Sequence, residues 1–270
     1  MDTVQLLDTL QDAVIKSNEQ KIKKPQYNFD KLKMYFAEDF SHNGIIIKQP
    51  TIGDILEIGE EVFFQSLSPF LYNSTSIRVF LWDNGIDWNK VKDIEVFAYL
   101  IGSIQDKKPL EKMFNISFDD FHLLKMQDEE DDKNLKFVLC SESQRMLINE
   151  EDYMIIAEYL RELFNRHPKV EKAKGKTAKV WMIQEEKMNA QQREKKEDST
   201  LLPLVSSCVN HPGFKYKLQE IREMGIYQFM DSVNRIYKYE KGTAALKGIY
   251  SGFCSAKDIG EDTLNFMGDL

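Results

Sequence analysis

A lysine-rich stretch near the middle of the chain constrains how the chain can be divided into folded parts. Within residues 166–179, six basic residues stand against one acidic residue, Glu171, a net charge of about +5. Such a run is typical of a solvated linker, and it can also attract a partner of opposite charge. We therefore predict three parts: an α+β domain with a β-meander at 1–165, a basic hinge and charged helix at 166–198, and a helical C-terminal region at 199–270.

Composition narrows the class of protein. Of the 270 residues, 42% are hydrophobic and 11% aromatic, so the chain can bury a sizeable core. The formal charge of −8 argues against a protein whose main task is to neutralise nucleic-acid phosphates. The acidic residues near the start and the lack of a long apolar run indicate no signal peptide and no membrane span, so we expect a soluble, intracellular protein.

Cysteine usage supports a reducing compartment. The chain has three cysteines, an odd number spaced far apart, which does not suit a disulfide framework. We expect Cys140, Cys208 and Cys254 to be small buried apolar residues.

Several elements can be predicted in the first 110 residues. Apolar residues at three- and four-residue steps predict a helix between about residues 2 and 19. A connector follows, leading to a short β-branched strand at 44–47. Thr51 and Asp54 are typical of a helix N-terminus, and we predict a helix from Ile52 through Leu67. The predicted buried face of that helix contains Ile55, Leu56, Val62, Phe63 and Leu67.

The next 60 residues alternate between helix and sheet. The segment 76–82 suits either a helix or a strand, and the turn at 83–85 ends it. A helix follows from Asp93. Three extended runs then predict an antiparallel meander. These runs are Phe118 to Met126, Leu135 to Cys140 and Arg145 to Ile148. Asn149 and three acidic residues behind it indicate the start of a helix that ends before His167.

The C-terminal third is predicted to be helical. A charged helix is predicted over 177–198, a short apolar helix from Leu201 to Val205, and a strongly amphipathic helix from Ile226 through Tyr239. The predicted fold class is α+β and mostly helical, with a small antiparallel sheet in the N-terminal part and a helical C-terminal part.

The chain shows no pattern of catalytic, metal-binding or cofactor-binding residues. Its histidines, His42, His122, His167 and His211, stand apart from one another and from ligand pairs. The acidic run 128–132 lacks the glycine and ligand spacing of a calcium loop, and the Gly-Lys-Thr at 175–177 lacks the frame of a phosphate loop. We therefore predict that the protein is not an enzyme and uses no cofactor.

Four segments together resemble proteins of tailed bacteriophages. They are the run IIIKQPTIGDILEIGEEVFF, the turn LWDNGIDW, the lysine-rich hinge, and the closing segment from Gly213 to Leu270. The pattern covers most of residues 40 to 270 and resembles tail assembly chaperones and baseplate hub assembly proteins.

The resemblance implies a non-enzymatic factor that binds tail components in the cytoplasm of the infected host. The implied partners are tail or baseplate proteins, among them the tape-measure protein, with no membrane partner. Aromatic groups commonly anchor protein interfaces, and basic groups pair with acidic partners. The predicted partner-binding residues are Trp181, Phe229, Tyr237, Lys172, Lys174 and Lys176.

Two alternatives remain open at this point. A structural subunit of the tail or baseplate, present in the virion, needs the same large interaction surfaces. A nucleic-acid-binding regulator would use the basic hinge instead, with an affinity that falls steeply as salt rises.

Overall fold

The computed structural model describes residues 27–127, 135–192, 199–265 and 267–268, and this part of the chain is mainly helical. Its α-helices are α1 (Lys31–Tyr35), α2 (Ile52–Ile58), α3 (Glu60–Leu71), α4 (Arg78–Asp83), α5 (Asp93–Ile101), α6 (Lys108–Met113), α7 (Glu150–Leu163), α8 (Lys176–Gln192), α9 (Leu201–Asn210), α10 (Leu218–Glu223), α11 (Ile226–Tyr250) and α12 (Glu261–Leu264). Its strands are β1 (Phe40–His42), β2 (Ile45–Ile47), β3 (His122–Gln127), β4 (Leu135–Ser141) and β5 (Met146–Asn149). The predicted fold class, α+β and mostly helical, is confirmed.

The predicted meander is present as a three-stranded antiparallel sheet in the order β3-β4-β5. Leu139 lies in register with Leu123 on one side and Ile148 on the other. Leu139 and Ile148 are buried and Leu123 packs against the same core, so this row forms the apolar face of the sheet. Helices α5 and α7 pack against that face.

A separate hairpin joins β1 and β2, which confirms the predicted strand at 44–47. Asn43 and Gly44 both have positive φ angles, +46° and +81°. An Asn-Gly pair in this conformation makes the tight turn whose twist suits an antiparallel hairpin. The connector before it contains α1, a short helix that the sequence analysis did not predict; Asp30 caps its N-terminus.

The helix predicted from Ile52 through Leu67 was wrong in one respect. Its N-terminal signal is confirmed, because the Thr51 hydroxyl accepts a hydrogen bond from Asp54 N (3.1 Å) and Thr51 N donates to Asp54 Oδ2 (2.9 Å). Gly59, with φ +95°, then ends α2 and begins α3 in a new direction. The change of axis leaves Leu56, predicted as buried, 55% exposed.

The last turn of α3 is stabilised by side chains that donate hydrogen bonds to its backbone carbonyls. Pro69 has no N–H for the Gln65 carbonyl, and the Ser68 hydroxyl donates to that carbonyl instead at 2.7 Å. The Tyr153 hydroxyl of α7 donates to the Pro69 carbonyl at 2.9 Å. Burial raises the pKa of Tyr153, so its hydroxyl keeps the proton that this bond requires.

Arg161 of α7 completes the end of α3. The guanidinium is 2% exposed and donates to the carbonyls of Phe70 (3.1 Å) and Tyr72 (3.0 Å), which the helix itself leaves unpaired. Its remaining N–H groups bond Glu158 Oε1 at 2.7 Å and Asp93 Oδ2 at 2.8 Å. One buried cation therefore joins α3, α5 and α7.

The C-terminal region joins the N-terminal part through backbone contacts at the start of α2. Ile52 N donates to the Met224 carbonyl (3.1 Å), and Ile226 N donates to the Pro50 carbonyl (3.0 Å). The approach is close: a Cβ on Gly53 would lie 2.8 Å from the Arg222 carbonyl oxygen. Side chains from 199–270 that are buried in the same core as the meander are Leu201, Cys208, Ile221, Met224, Ile226 and Phe229.

Other predictions have mixed outcomes. The helix at 2–19 and the acidic run 128–132 lie outside the described residues, as does the stretch 193–198 of the charged helix. The cysteines are unpaired, with Cys208 buried and Cys140 and Cys254 partly exposed. Among the described helices, none is both long and apolar enough to cross a membrane.

We expect Arg161→Met to destabilise the protein strongly. The change leaves two carbonyls and two carboxylates without their buried partner, a loss of about 3–5 kcal/mol in the free energy of unfolding. Urea denaturation measures it. Arg222→Met, at an exposed site, is the control and should change stability by less than about 0.5 kcal/mol. Equal effects of the two variants would contradict this role of Arg161.

Two glycine-to-alanine variants should move stability in opposite directions. Gly53→Ala places a methyl against the Arg222 backbone and should cost about 1–3 kcal/mol. Gly102 has φ −70° at the end of α5 with nothing near its missing Cβ, so Gly102→Ala should stabilise by roughly 0.4–1 kcal/mol. Thermal melting of both variants compares them, and a neutral Gly53→Ala would contradict the close contact.

Candidate interaction surface

Helices α4 and α8 pack together around a small apolar cluster of their own. Its buried members are Leu81, Trp88, Ala173 and Ile183, and they are separate from the main core. Trp82 meets Trp88 edge-on, with ring centroids 5.9 Å apart. This cluster fixes the position of α8, so the charged helix packs one face against the body of the protein.

Ion pairs reinforce the contacts of the segment 78–87 with α8 and with the hinge, which supplies Glu171. They are Arg78 with Glu171 and Glu186, Lys179 with Asp87 (Nζ to Oδ2, 2.6 Å), and Lys187 with Asp83 (Nζ to Oδ1, 2.6 Å). The hydrogen bond from Lys179 is the main cause that lowers the pKa of Asp87. Charges on this side of α8 are thus largely matched within the chain.

The hinge is bound to the body of the protein along its backbone, although it was interpreted as a solvated linker. Asn73 Nδ2 donates to the Lys169 carbonyl (2.8 Å), and Glu171 N donates to Thr75 Oγ1 (3.0 Å). Asn89 pairs with both backbone groups of Ala173, at 2.8 and 3.2 Å. Nothing in the sequence marks these side chains as its partners, because polar side chains that bond a distant backbone carry no periodic signal.

This attachment explains why the hinge lysines point outward. The backbone bonds inward at residues 169, 171 and 173, and the alternating residues Lys172 and Lys174 are exposed, as expected of extended chain. Lys176, at the start of α8, is also exposed. The three predicted basic residues are therefore all exposed, and they lie five to nine residues before Trp181 in the sequence.

The outer face of α8 carries apolar side chains. Trp181 is 58% exposed, and Met188, seven residues later and therefore on the same side of the helix, is 56% exposed. Ile183, on the opposite side, is buried. Met188 was not among the predicted site residues, although its seven-residue spacing from Trp181 was a signal for it. We call Trp181 and Met188 the α8 outer face.

The structure corrects the prediction that Phe229 contacts a partner. Phe229 is 0% exposed and belongs to the main core, and its helix α11 packs against α1 and α9. The side chains that pack on the core continue to Ile236, and after this point α11 extends beyond it. Tyr237, 70% exposed, lies at that transition.

The end of the chain folds back along α11. A Cβ on Gly242 would lie 2.8 Å from the Thr263 carbonyl oxygen, so α12 approaches the α11 backbone at the glycine. Arg235 Nη1 donates to the Gly268 carbonyl at 2.7 Å. Tyr250 and Phe253, at the turn between α11 and this returning segment, are more than four-fifths exposed.

The described residues show no arrangement suited to metal chemistry. In these parts of the chain no group of three or more His, Cys, Asp or Glu side chains is placed to hold a metal ion. Three of the histidines make single carboxylate contacts: His42 with Asp152 (2.8 Å), His167 with Glu162 (3.4 Å) and His211 with Glu240 (2.9 Å).

Comparison with known proteins matches the C-terminal part of the chain to a phage family. Residues 180–268 match the family model of the YomV second domain. YomV is a Bacillus prophage protein, and its family is phage-derived. The match suggests a phage protein. No curated protein and no solved structure matched the chain. The matched segment contains the α8 outer face, Tyr237 and the returning C-terminal segment, and it excludes the hinge lysines.

We expect Phe229→Asp and Tyr237→Asp to behave differently although both lie on α11. The first buries a carboxylate in the main core and should lower the free energy of unfolding by about 3–5 kcal/mol. The second places it in solvent and should change stability by less than about 0.5 kcal/mol. Thermal melting of both proteins tests this, and a folded, fully stable Phe229→Asp protein would contradict the core position.

Proposed function

We propose that this chain is a non-enzymatic assembly factor of a phage tail or baseplate, a chaperone that binds tail components before they assemble. The observation that carries the proposal is the match of residues 180–268 to a phage-derived family, on a segment that exposes apolar side chains from anchored elements. The resemblance of the whole sequence pattern to tail assembly proteins supports the choice of the tail.

The α8 outer face has the properties of a protein-binding surface. Trp181 and Met188 are presented by a helix whose other face is packed and ion-paired, so little conformational entropy is lost when a partner binds them. Exposed tryptophan is common among residues that dominate interface energies, and methionine adapts to varied apolar surfaces. A helix face of this kind can cover an apolar segment of a tail subunit until that segment is buried in the tail.

The proposed partners are tail or baseplate proteins, including the tape-measure protein. The exposed lysines Lys172, Lys174 and Lys176 would pair with acidic groups on such a partner. The net charge of −8 gives the chain an overall repulsion from nucleic acid, and this argues against a regulator that acts through DNA or RNA.

A structural subunit of the tail or baseplate is the second candidate. Exposed apolar side chains occur both on α8 and at the end of α11, where Tyr250 and Phe253 lie. A subunit inside a larger assembly needs at least two contact surfaces, because each copy has more than one neighbour. This role would place the protein in the finished particle.

Deletion and complementation test the assembly role. We expect deletion of the gene from the phage or prophage that encodes it to give heads without functional tails, and the wild-type gene supplied in trans to restore infectious particles. The double variant Trp181→Ser with Met188→Ser should restore at least about tenfold fewer infectious particles. The reason is that a loss of about 1.4 kcal/mol in binding free energy lowers the affinity for the partner by that factor. Electron microscopy and titre measure both.

Leu147→Ser is the matched control. Leu147 is an exposed apolar residue on β5, outside the α8 outer face, and its variant should complement fully. Normal tailed particles from the deletion would overturn the proposed function. Full complementation by the double variant would instead show that the α8 outer face takes no part in the proposed function.

A further inference from the structure

A cleft opens between the turn after α4 and the first turn of α8. Its volume is about 380 Å³, and its lining residues are Trp82, Gly85, Ile86, Asp87, Gly175, Lys176 and Lys179. This is at the small end of the range of roughly 300–1,000 Å³ typical of ligand pockets. The space suits one large side chain and the backbone beside it.

The walls of the cleft are mostly apolar and already fixed. Trp82 and Ile86 pack against the buried cluster of Leu81 and Trp88, which the hinge closes from one side. At both turns the chain carries glycine with positive φ, +73° at Gly85 and +99° at Gly175, and the position of each missing Cβ has no atom within 4 Å. Both glycines hold backbone angles that favour glycine, and the walls are fixed by the buried cluster, so an entering side chain meets a preformed site.

Around the cleft the acidic side chains are paired, and the charge that is not neutralised is positive. Its acidic lining residue, Asp87, is already paired with Lys179, and the hinge acid, Glu171, is paired with Arg78. Lys176 on the rim and Lys172 in the adjoining hinge are exposed, and neither side chain has an ion-pair partner among the described residues. An approaching chain therefore meets an apolar hollow beside unneutralised lysines.

We propose that this cleft binds an acidic peptide segment of a partner protein by taking one large apolar side chain, with Lys176 and Lys172 pairing the carboxylates that flank it. The inference rests on the proposed function for the existence of a protein partner, and it adds the chemistry by which that partner is recognised. The apolar side chain supplies most of the affinity, and the lysines supply selectivity for acidic over basic segments.

Site-specific photo-crosslinking in phage-producing cells tests the proposal. Thr177, exposed beside Lys176, is replaced by p-benzoyl-L-phenylalanine, and crosslinked peptides are sequenced by mass spectrometry. We expect a tail-protein segment with several Asp or Glu residues around a large apolar residue. Adding Lys172→Glu and Lys176→Glu should lower the yield at least about tenfold, since like charges then face each other.

Controls separate binding from folding. Lys48→Glu, at an exposed lysine outside the cleft, should leave the crosslink yield unchanged, and thermal melting should show that the charge variants fold. A crosslink to a basic or uncharged segment, to nucleic acid, or to residues 1–26 of this chain would overturn the proposal, as would no crosslink at all. If the deletion strain still lacks tails in those cases, the proposed function survives and only the cleft inference fails.

Discussion

The buried Arg161 guanidinium joins α3, α5 and α7, and the positions of the hinge and of α8 depend on this contact. It bonds two carbonyls at the end of α3, where Tyr153 takes a third, and it reaches Asp93 at the start of α5. A cation at a helix C-terminus also interacts favourably with the helix dipole. The segment that leaves α3 runs through Asn73 and Thr75 into α4, so this arrangement sets where the hinge is bound and where α8 begins.

Two sets of hydrogen bonds, among other contacts, attach the C-terminal region to the same body. One is the backbone junction between Ile52 and Met224. The other is Glu60, whose carboxylate accepts from the backbone N–H groups of Thr200 (2.7 Å) and Leu201 (3.1 Å) at the start of α9. Partial burial opposes ionisation of Glu60, but hydrogen bonds from the Ser199 and Thr200 hydroxyls, together with these two, outweigh it and lower its pKa. The matched residues from Leu201 onward are thus attached to the main core, and those of α8 to the separate cluster around Trp88.

Local signals in the sequence were enough to predict several of the helices and the meander, whereas contacts between distant residues decide which side chains are exposed. Thr51 and Asn149 marked helix starts, and alternation marked the meander, because caps and strand faces depend on near neighbours. The break at Gly59 depends on a backbone angle that no periodicity reveals. Phe229 and Tyr237 share one amphipathic helix, and only the point at which α11 leaves the core separates buried from exposed. The hinge lysines were identified from charge alone, whereas their presentation depends on side chains about 80 to 100 residues away.

In the proposed role the protein acts on tail components during assembly and leaves before the particle is complete. Absolute quantification by mass spectrometry, applied to the lysate of a phage-producing culture and to purified particles from that culture, tests it most directly. An assembly factor should be abundant in the lysate and absent from the particles. A fixed copy number per particle would contradict it and assign the chain to the structure of the tail.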